Sequence, residues 1–173
     1  MKKSYHFIGI GGIGMGALAF LLMEKGHRVS GSDLKQNAMT SRLKDAGADI
    51  SACHAAENIN DADVVVYSSA ISEDHLERKA AERKQILQIR RATLLAELVK
   101  LHKGLIVCGT HGKTTTAAML TWILQRAGLD PSHYIGAEVP LVGECARAGE
   151  GDYFVAEGDE SDGSLIEFFP YCA

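Results

Sequence analysis

The chain has 173 residues, 46% of them hydrophobic and 23% charged, with a net charge of -4. That is the balance of a globular protein with room for one large or two small domains, and it lacks the basic footprint of a nucleic-acid-binding surface. The four cysteines, Cys53, Cys108, Cys145 and Cys172, form no Cys-x-x-Cys pair, so neither a zinc site nor a redox pair is signalled.

Lys2 and Lys3, followed by an apolar run to Met23, imitate a secretory signal. Glycines at 9, 11, 12, 14 and 16 interrupt that run, and Glu24 ends it too early for a membrane span, so no membrane insertion is expected. Free thiols fit a reducing, cytoplasmic compartment, with Cys108 read as a small core residue.

Tyr5 to Ile10 reads as a first strand. Gly9-Ile10-Gly11-Gly12-Ile13-Gly14 matches G-x-G-x-x-G, Ile13 to Lys25 reads as a helix, and His27 to Ser32 as a second strand ending at Asp33. The acidic residue thus stands about 20 positions beyond the last fingerprint glycine. In this βαβ context the motif predicts a Rossmann-like domain with a parallel sheet. A nucleotide or sugar-nucleotide diphosphate is expected on the first helix, with Asp33 either at a ribose or capping the next segment.

A helical pattern from Met39 to Ala46 closes at Gly47. Ala48 to Ser51 is a weak strand. Asp63 to Tyr67 is a strong one that ends in Ser68 and Ser69, where serines either bond a ligand or start a turn. His54 reads as a lone surface histidine. Asp74 to Lys84 reads as a charged, exposed helix and Gln85 to Ile89 as a strand. Ala92 to His102 is amphipathic, with Leu94, Leu95, Leu98 and Leu101 on one face. The domain boundary is expected at Lys103-Gly104, giving domains of residues 1–103 and 104–173.

The second domain opens on an apolar strand, Leu105 to Cys108, then Gly109-Thr110-His111-Gly112-Lys113-Thr114-Thr115-Thr116, then a helix over 113–127. Strand, glycine turn and helix N-terminus make an anion site, because backbone N–H groups and the positive end of the helix dipole both face the turn. Lys113 supplies charge and Thr114 a hydroxyl for magnesium. The full eight-residue loop pattern needs glycine at 107, where Val107 stands. Ser132 to Gly149 is poorly patterned. Tyr153 to Ala156 is an apolar strand ending in Glu157, a carboxylate placed as a magnesium ligand. The acidic run after it does not have calcium-loop spacing.

Three stretches in this order, His6 to Met15, Gly109 to Thr116 and Glu157 to Ser164, resemble the Mur ligases of peptidoglycan synthesis over essentially the whole chain. The resemblance is nearest to the member that adds the first amino acid, since His111 stands where several relatives carry Asn. It implies ATP and Mg2+, with UDP-N-acetylmuramate and L-alanine as substrates and an acyl-phosphate intermediate. Gly9, Gly11, Gly12, Ile13, Gly14, Asp33, Ser68 and Ser69 would hold the UDP-sugar. Gly109, Thr110, His111, Gly112, Lys113, Thr114 and Thr115 would hold ATP, Lys113 as the catalytic cation, with Thr114 and Glu157 on the metal. A relative that recycles a wall tripeptide onto the same nucleotide sugar is the runner-up. An NAD-binding oxidoreductase and a non-catalytic nucleotide-binding module are the readings from other classes.

The family usually has Ala at Gly158 and Gly at Ala137, departures expected to loosen local packing. The resemblance also implies that the ATP domain is truncated at Ala173 and the C-terminal amino-acid domain absent. The 173-residue chain by itself is then expected to bind nucleotide sugar without ligase turnover.

Overall fold

The computed structural model describes residues 2–137, 139–158 and 164–173, and it divides into two compact units, one up to Arg91 and one from Ala92 onward. The first unit holds strands β1 (Ser4–Ile8), β2 (Arg28–Ser32), β3 (Asp49–Ser51), β4 (Val64–Tyr67) and β5 (Leu87–Arg90) in the order β3-β2-β1-β4-β5, every pair parallel. Helices α1 (Ile13–Glu24), α2 (Ala38–Asp45) and α3 (Leu76–Arg83) make the crossovers, with a short 3-10 turn at Ala56–Ile59 between β3 and β4. After β3 the chain returns to the other side of β1. The strand order therefore reverses between β1 and β4, which in open α/β sheets is where ligands sit.

Helix α1 is apolar on nearly every side, and Met15 to Ala19, Leu21 and Leu22 are buried. A helix of that kind belongs inside a fold, not on its surface. Phe7, Ile10 and Leu43 are fully buried as well, each fully buried large side chain contributing about 1.5–3 kcal/mol. Ile59, Val65, Ala80 and Ala81 pack with Ile8 in a cluster. Close approach explains Gly31 on β2: a Cβ there would stand 2.6 Å from Ile10 Cδ1 and 2.8 Å from the Phe7 carbonyl. Helix α2 starts with a reciprocal cap, the Asn37 side chain accepting from the Thr40 N–H and the Thr40 hydroxyl from the Asn37 N–H.

The second unit carries α4 (Arg91–Lys100), β6 (Lys103–Val107), α5 (Lys113–Arg126), β7 (Ser132–Tyr134), β8 (Ala146–Arg147) and β9 (Tyr153–Glu157), with a 3-10 turn at Ser164–Glu167. Its sheet order is β6-β9-β7-β8, parallel except for β8. Ala117 and Ala118 of α5 pack on Ile135 and Val155.

The division falls twelve residues before the expected 103/104 boundary, because α4 and the turn after it pack with the second sheet. Val99 lies against Gly104, where a Cβ would strike its Cγ1, and the His102 ring meets Phe154 edge-on at 5.5 Å. Leu101 does not share the buried face of Leu94, Leu95 and Leu98. The helix has ended by then, and Leu101 is 75% exposed. Cys108 is exposed and not a core residue, since β6 stops at Val107. At Gly158 the packing is closed rather than loosened: Leu165 and Ile106 occupy the space a methyl would take.

Strand β7 lies in the stretch that had no pattern. Its residues Ser132, His133 and Tyr134 are all buried, and two of their side chains bond nearby backbone groups. Gly149 N–H donates to Ser132 Oγ, and His133 Nε2 bonds the Glu144 carbonyl. Among the described residues no helix is long and apolar enough to cross a membrane.

Candidate nucleotide-binding sites

The turn after β6 is built by glycine conformation. Gly109 has φ +138° and Gly112 φ +80°, both in the region that favours glycine. Gly112 is the N-cap of α5 and has no side chain with which to cap the first helical turn. The first backbone bond of the helix runs from the Thr116 N–H to the Gly112 carbonyl (2.9 Å). The N–H groups ahead of it face the turn, as an anion site requires. Gly109, Thr110, His111, Gly112 and Thr115 are exposed, and Lys113 and Thr114 half-buried. Lys113 Nζ donates to the Gly109 carbonyl at 2.7 Å, which folds the ammonium over the loop.

Strand β9 lies directly beside β6, in a register that pairs Glu157 with Val107, the last strand residue before the loop. The Gly158 N–H donates to the Val107 carbonyl at 2.9 Å. Glu157 Oε1 is buried and has no hydrogen-bond partner among the described residues, while Oε2 lies 3.1 Å from where a Cβ on Gly136 would stand. A buried carboxylate oxygen without a donor is costly unless a cation satisfies it. An oxygen donor of this kind suits a hard ion such as Mg2+. The acidic run 159–163, part of the third motif, lies outside the described residues.

In the first unit the glycine turn follows β1 at the switch point. Gly9 has φ +77°, and the Gly9 and Ile10 N–H groups both donate to the Ser32 carbonyl (2.8 and 3.2 Å), tying the turn to β2. Asp33 takes the Gly11 N–H on Oδ2 (2.9 Å) and the Lys35 N–H on Oδ1 (2.8 Å). Asn37 Nδ2 donates to the Gly11 carbonyl at 2.9 Å. Asp33 Oδ2 therefore braces the glycine turn, while Oδ1 bonds the segment just after Asp33 itself. Gly12 and Ile13 are left exposed and Gly14 half-buried at the N-terminus of α1, where Gly12 provides no side-chain cap. Ser68 and Ser69 follow β4, on the other side of the switch point from the glycine turn.

Behind this edge lies a polar cluster that no sequence motif marks. Glu77, expected on an exposed helix, is fully buried. Ser32 Oγ donates to its Oε2 (2.7 Å) and Asn58 Nδ2 to its Oε1 (2.7 Å). His6 Nε2 and His54 Nδ1 each stand 3.6 Å from Oε2. His54 is no free surface histidine: its Nδ1 also bonds Ser32 Oγ at 2.8 Å, and its ring meets that of His75 edge-on, centroids 4.6 Å apart. Burial pushes the Glu77 carboxyl upward, but the His6 imidazole facing it and hydrogen bonds from Ser32 and Asn58 outweigh this and hold the group down at about 2. His75 is held below the usual histidine value, first by burial and then by His54. A signal for the cluster is present in the strands. His6 and Ser32 are polar residues at buried positions of parallel strands, where apolar side chains are the rule.

A parallel sheet with a glycine turn at its switch point is followed along the chain by a second sheet whose first strand runs into another glycine turn and a helix N-terminus. The Mur ligase family, catalytic domain, matches residues 4–103, more than half of the chain, and the chain belongs to that family. It is 48% identical to the UDP-N-acetylmuramate–L-alanine ligase of Syntrophotalea carbinolica, over 99% of this chain and 37% of that protein. The chain thus spans little more than a third of the length of the curated relatives it matches. Among solved structures it resembles UDP-N-acetylmuramate-alanine ligase MurC from Thermotoga maritima (TM-score 0.90, 32% identity, 97% of this chain and 40% of that one). It also resembles UDP-N-acetylmuramate:L-alanyl-gamma-D-glutamyl-meso-diaminopimelate ligase from Neisseria meningitides (TM-score 0.89, 33% identity, 98% and 59%).

Proposed function

We propose that this chain supplies the nucleotide-sugar unit and the phosphate loop of a cytoplasmic, ATP-dependent ligase that joins L-alanine to UDP-N-acetylmuramate in peptidoglycan synthesis. One observation carries the reading: a buried carboxylate oxygen of Glu157, without a donor among the described residues, stands at the root of a loop that presents Lys113, Thr114 and helix N–H groups. A dehydrogenase using the first glycine turn for NAD has no use for that second site.

In this reading the turn at Gly9–Gly14, with Ser68 and Ser69 across the switch point, takes the UDP-sugar diphosphate, and Asp33 holds the turn in shape. The loop Gly109–Thr115 takes the ATP phosphates. The sugar's lactyl carboxylate oxygen forms a bond to the γ-phosphorus as ADP leaves. The alanine amine then forms the amide bond at the acyl carbon as inorganic phosphate leaves and the amine proton passes to base. Lys113 and the loop N–H groups neutralise and position the phosphates, the main work of phosphoryl transfer. Thr114 and Glu157 would hold Mg2+, which supplies further charge neutralisation. The alanine-adding reading is preferred to tripeptide recycling because the curated relatives at 48–49% identity carry the alanine-ligase name.

Calorimetric titration of the chain with UDP-N-acetylmuramate and, separately, with NADH tests the assignment of the first unit. Saturable binding of the nucleotide sugar alone is expected. Tight NADH binding without it would overturn the reading.

A further inference from the structure

We propose that His54, His75 and Glu77 form a binding site for a divalent transition-metal ion of the zinc class, separate from the nucleotide phosphates. One ligand atom from each of the three lies within 4.8 Å of the other two. Zinc bonds to imidazole nitrogen and carboxylate oxygen are about 2.0–2.2 Å, so tetrahedral ligands stand roughly 3.3 Å apart. The 3.6 Å between His54 Nδ1 and Glu77 Oε2 is already near that spacing. Small rotations of His75, which is half-buried, bring in the third ligand.

The chemistry of the donors agrees. Two imidazoles and one carboxylate are a set that zinc accepts in sites with an open fourth position, whereas magnesium prefers oxygen alone. Glu77 is a carboxylate buried to 0% exposure, and the titratable groups beside its oxygens, His6 and His54, are both histidines.

A second observation points the same way. His6 is 99% buried, and its Nδ1 is occupied by Ser30 Oγ at 2.9 Å. Its Nε2 has no hydrogen-bond partner among the described residues while facing Glu77 Oε2 at 3.6 Å. The carboxylate is thus surrounded by nitrogen donors that its existing hydrogen bonds do not fully use. Around it, Ser32 and Asn58 hold the carboxylate as outer-shell partners do in metal sites. An ion here would clamp the segment after β3, which carries His54, to the start of α3 and to the sheet. It would do so behind the switch point, where it can stiffen the edge that receives the nucleotide.

Titration of the chelator-stripped, 173-residue chain with Co2+ tests this, read by the visible absorption of tetrahedral cobalt. Oxygen-ligated, octahedral cobalt at the phosphate loop absorbs only weakly and does not mimic it. One tetrahedral cobalt per chain is expected, displaced by Zn2+. His75→Ala or His54→Ala should weaken binding by about 100-fold or more, since loss of outer-shell partners alone costs 10–100-fold. Lys113→Ala should leave it unchanged, and circular dichroism verifies that each variant is folded. Absence of a tetrahedral band would overturn the proposal, as would a band that persists in both histidine variants. So would a thiolate charge-transfer band placing the ion on Cys53.

Discussion

Replacing Lys113 by alanine is expected to weaken binding of Mg·ATP to this chain by about 10- to 100-fold while leaving the affinity for UDP-N-acetylmuramate unchanged. The magnitude rests on charge-assisted hydrogen bonds, which are worth about 1.5–3 kcal/mol each. The side chain is held over the loop by its bond to the Gly109 carbonyl, so little ordering remains to be done on binding. The loop fold should survive, because Gly109 and Gly112 set its shape through their own backbone conformations. Paired titrations of the wild type and the variant with each nucleotide check this. Loss of both affinities together would contradict a division of labour between the two units.

Glu77→Gln is expected to cost about 3 kcal/mol of stability near pH 7 in chelator-containing buffer, and the cost should shrink in acid. The folded carboxyl is held at about 2 against an ordinary 4.5, a difference that linkage converts at about 1.4 kcal/mol per unit. A depressed folded value means the contribution is complete above the unfolded value. It is lost as pH falls from about 4.5 toward 2, and more than half is gone by about pH 3. The groups facing the carboxylate are His6, His54, Ser32, Asn58 and the Ala55 N–H, with His75 beside it. Gln keeps an acceptor for Ser32 but loses the charge that the histidines face. Urea unfolding of both proteins between pH 7 and pH 3 measures the effect. A stability gap that stays constant over that range would contradict it.

The two glycine turns were legible because their determinants are local. A glycine at a left-handed φ, a strand before it and an apolar helix after it all lie within about a dozen residues, and Gly9, Gly109 and Gly112 stand where that pattern places them. Glu157 was legible for a related reason, because an apolar strand ending in a carboxylate is a local pattern. The sequence alone does not reveal that Glu157 pairs in register with Val107, nor that Oε1 lacks a donor among the described residues.

The cluster around Glu77 was illegible because its members are far apart in the chain. Ser32 and Glu77 are separated by 45 positions, and nothing in LERKAAER marks one glutamate as the buried one. Charge in that helix suggested solvent, whereas Glu77 faces inward together with Ala80 and Ala81. Strand β7 escaped for a different reason. Ser132 and His133 are buried by virtue of hydrogen bonds to Gly149 and Glu144, and such partners leave no hydrophobic periodicity to read. The boundary before α4 depended on which sheet takes the leucine face, a tertiary choice that an amphipathic pattern leaves open.

One measurement bears most directly on the ligase assignment. This chain replaces the matching 37% of the Syntrophotalea carbinolica ligase, and product is followed with UDP-N-acetylmuramate, L-alanine, ATP and Mg2+. The chimera is expected to form the alanine adduct of the nucleotide sugar with release of ADP and phosphate, and the same chimera bearing Lys113→Ala to form essentially none. A chimera as stable as the parent ligase that binds ATP yet makes no adduct would contradict the proposed function.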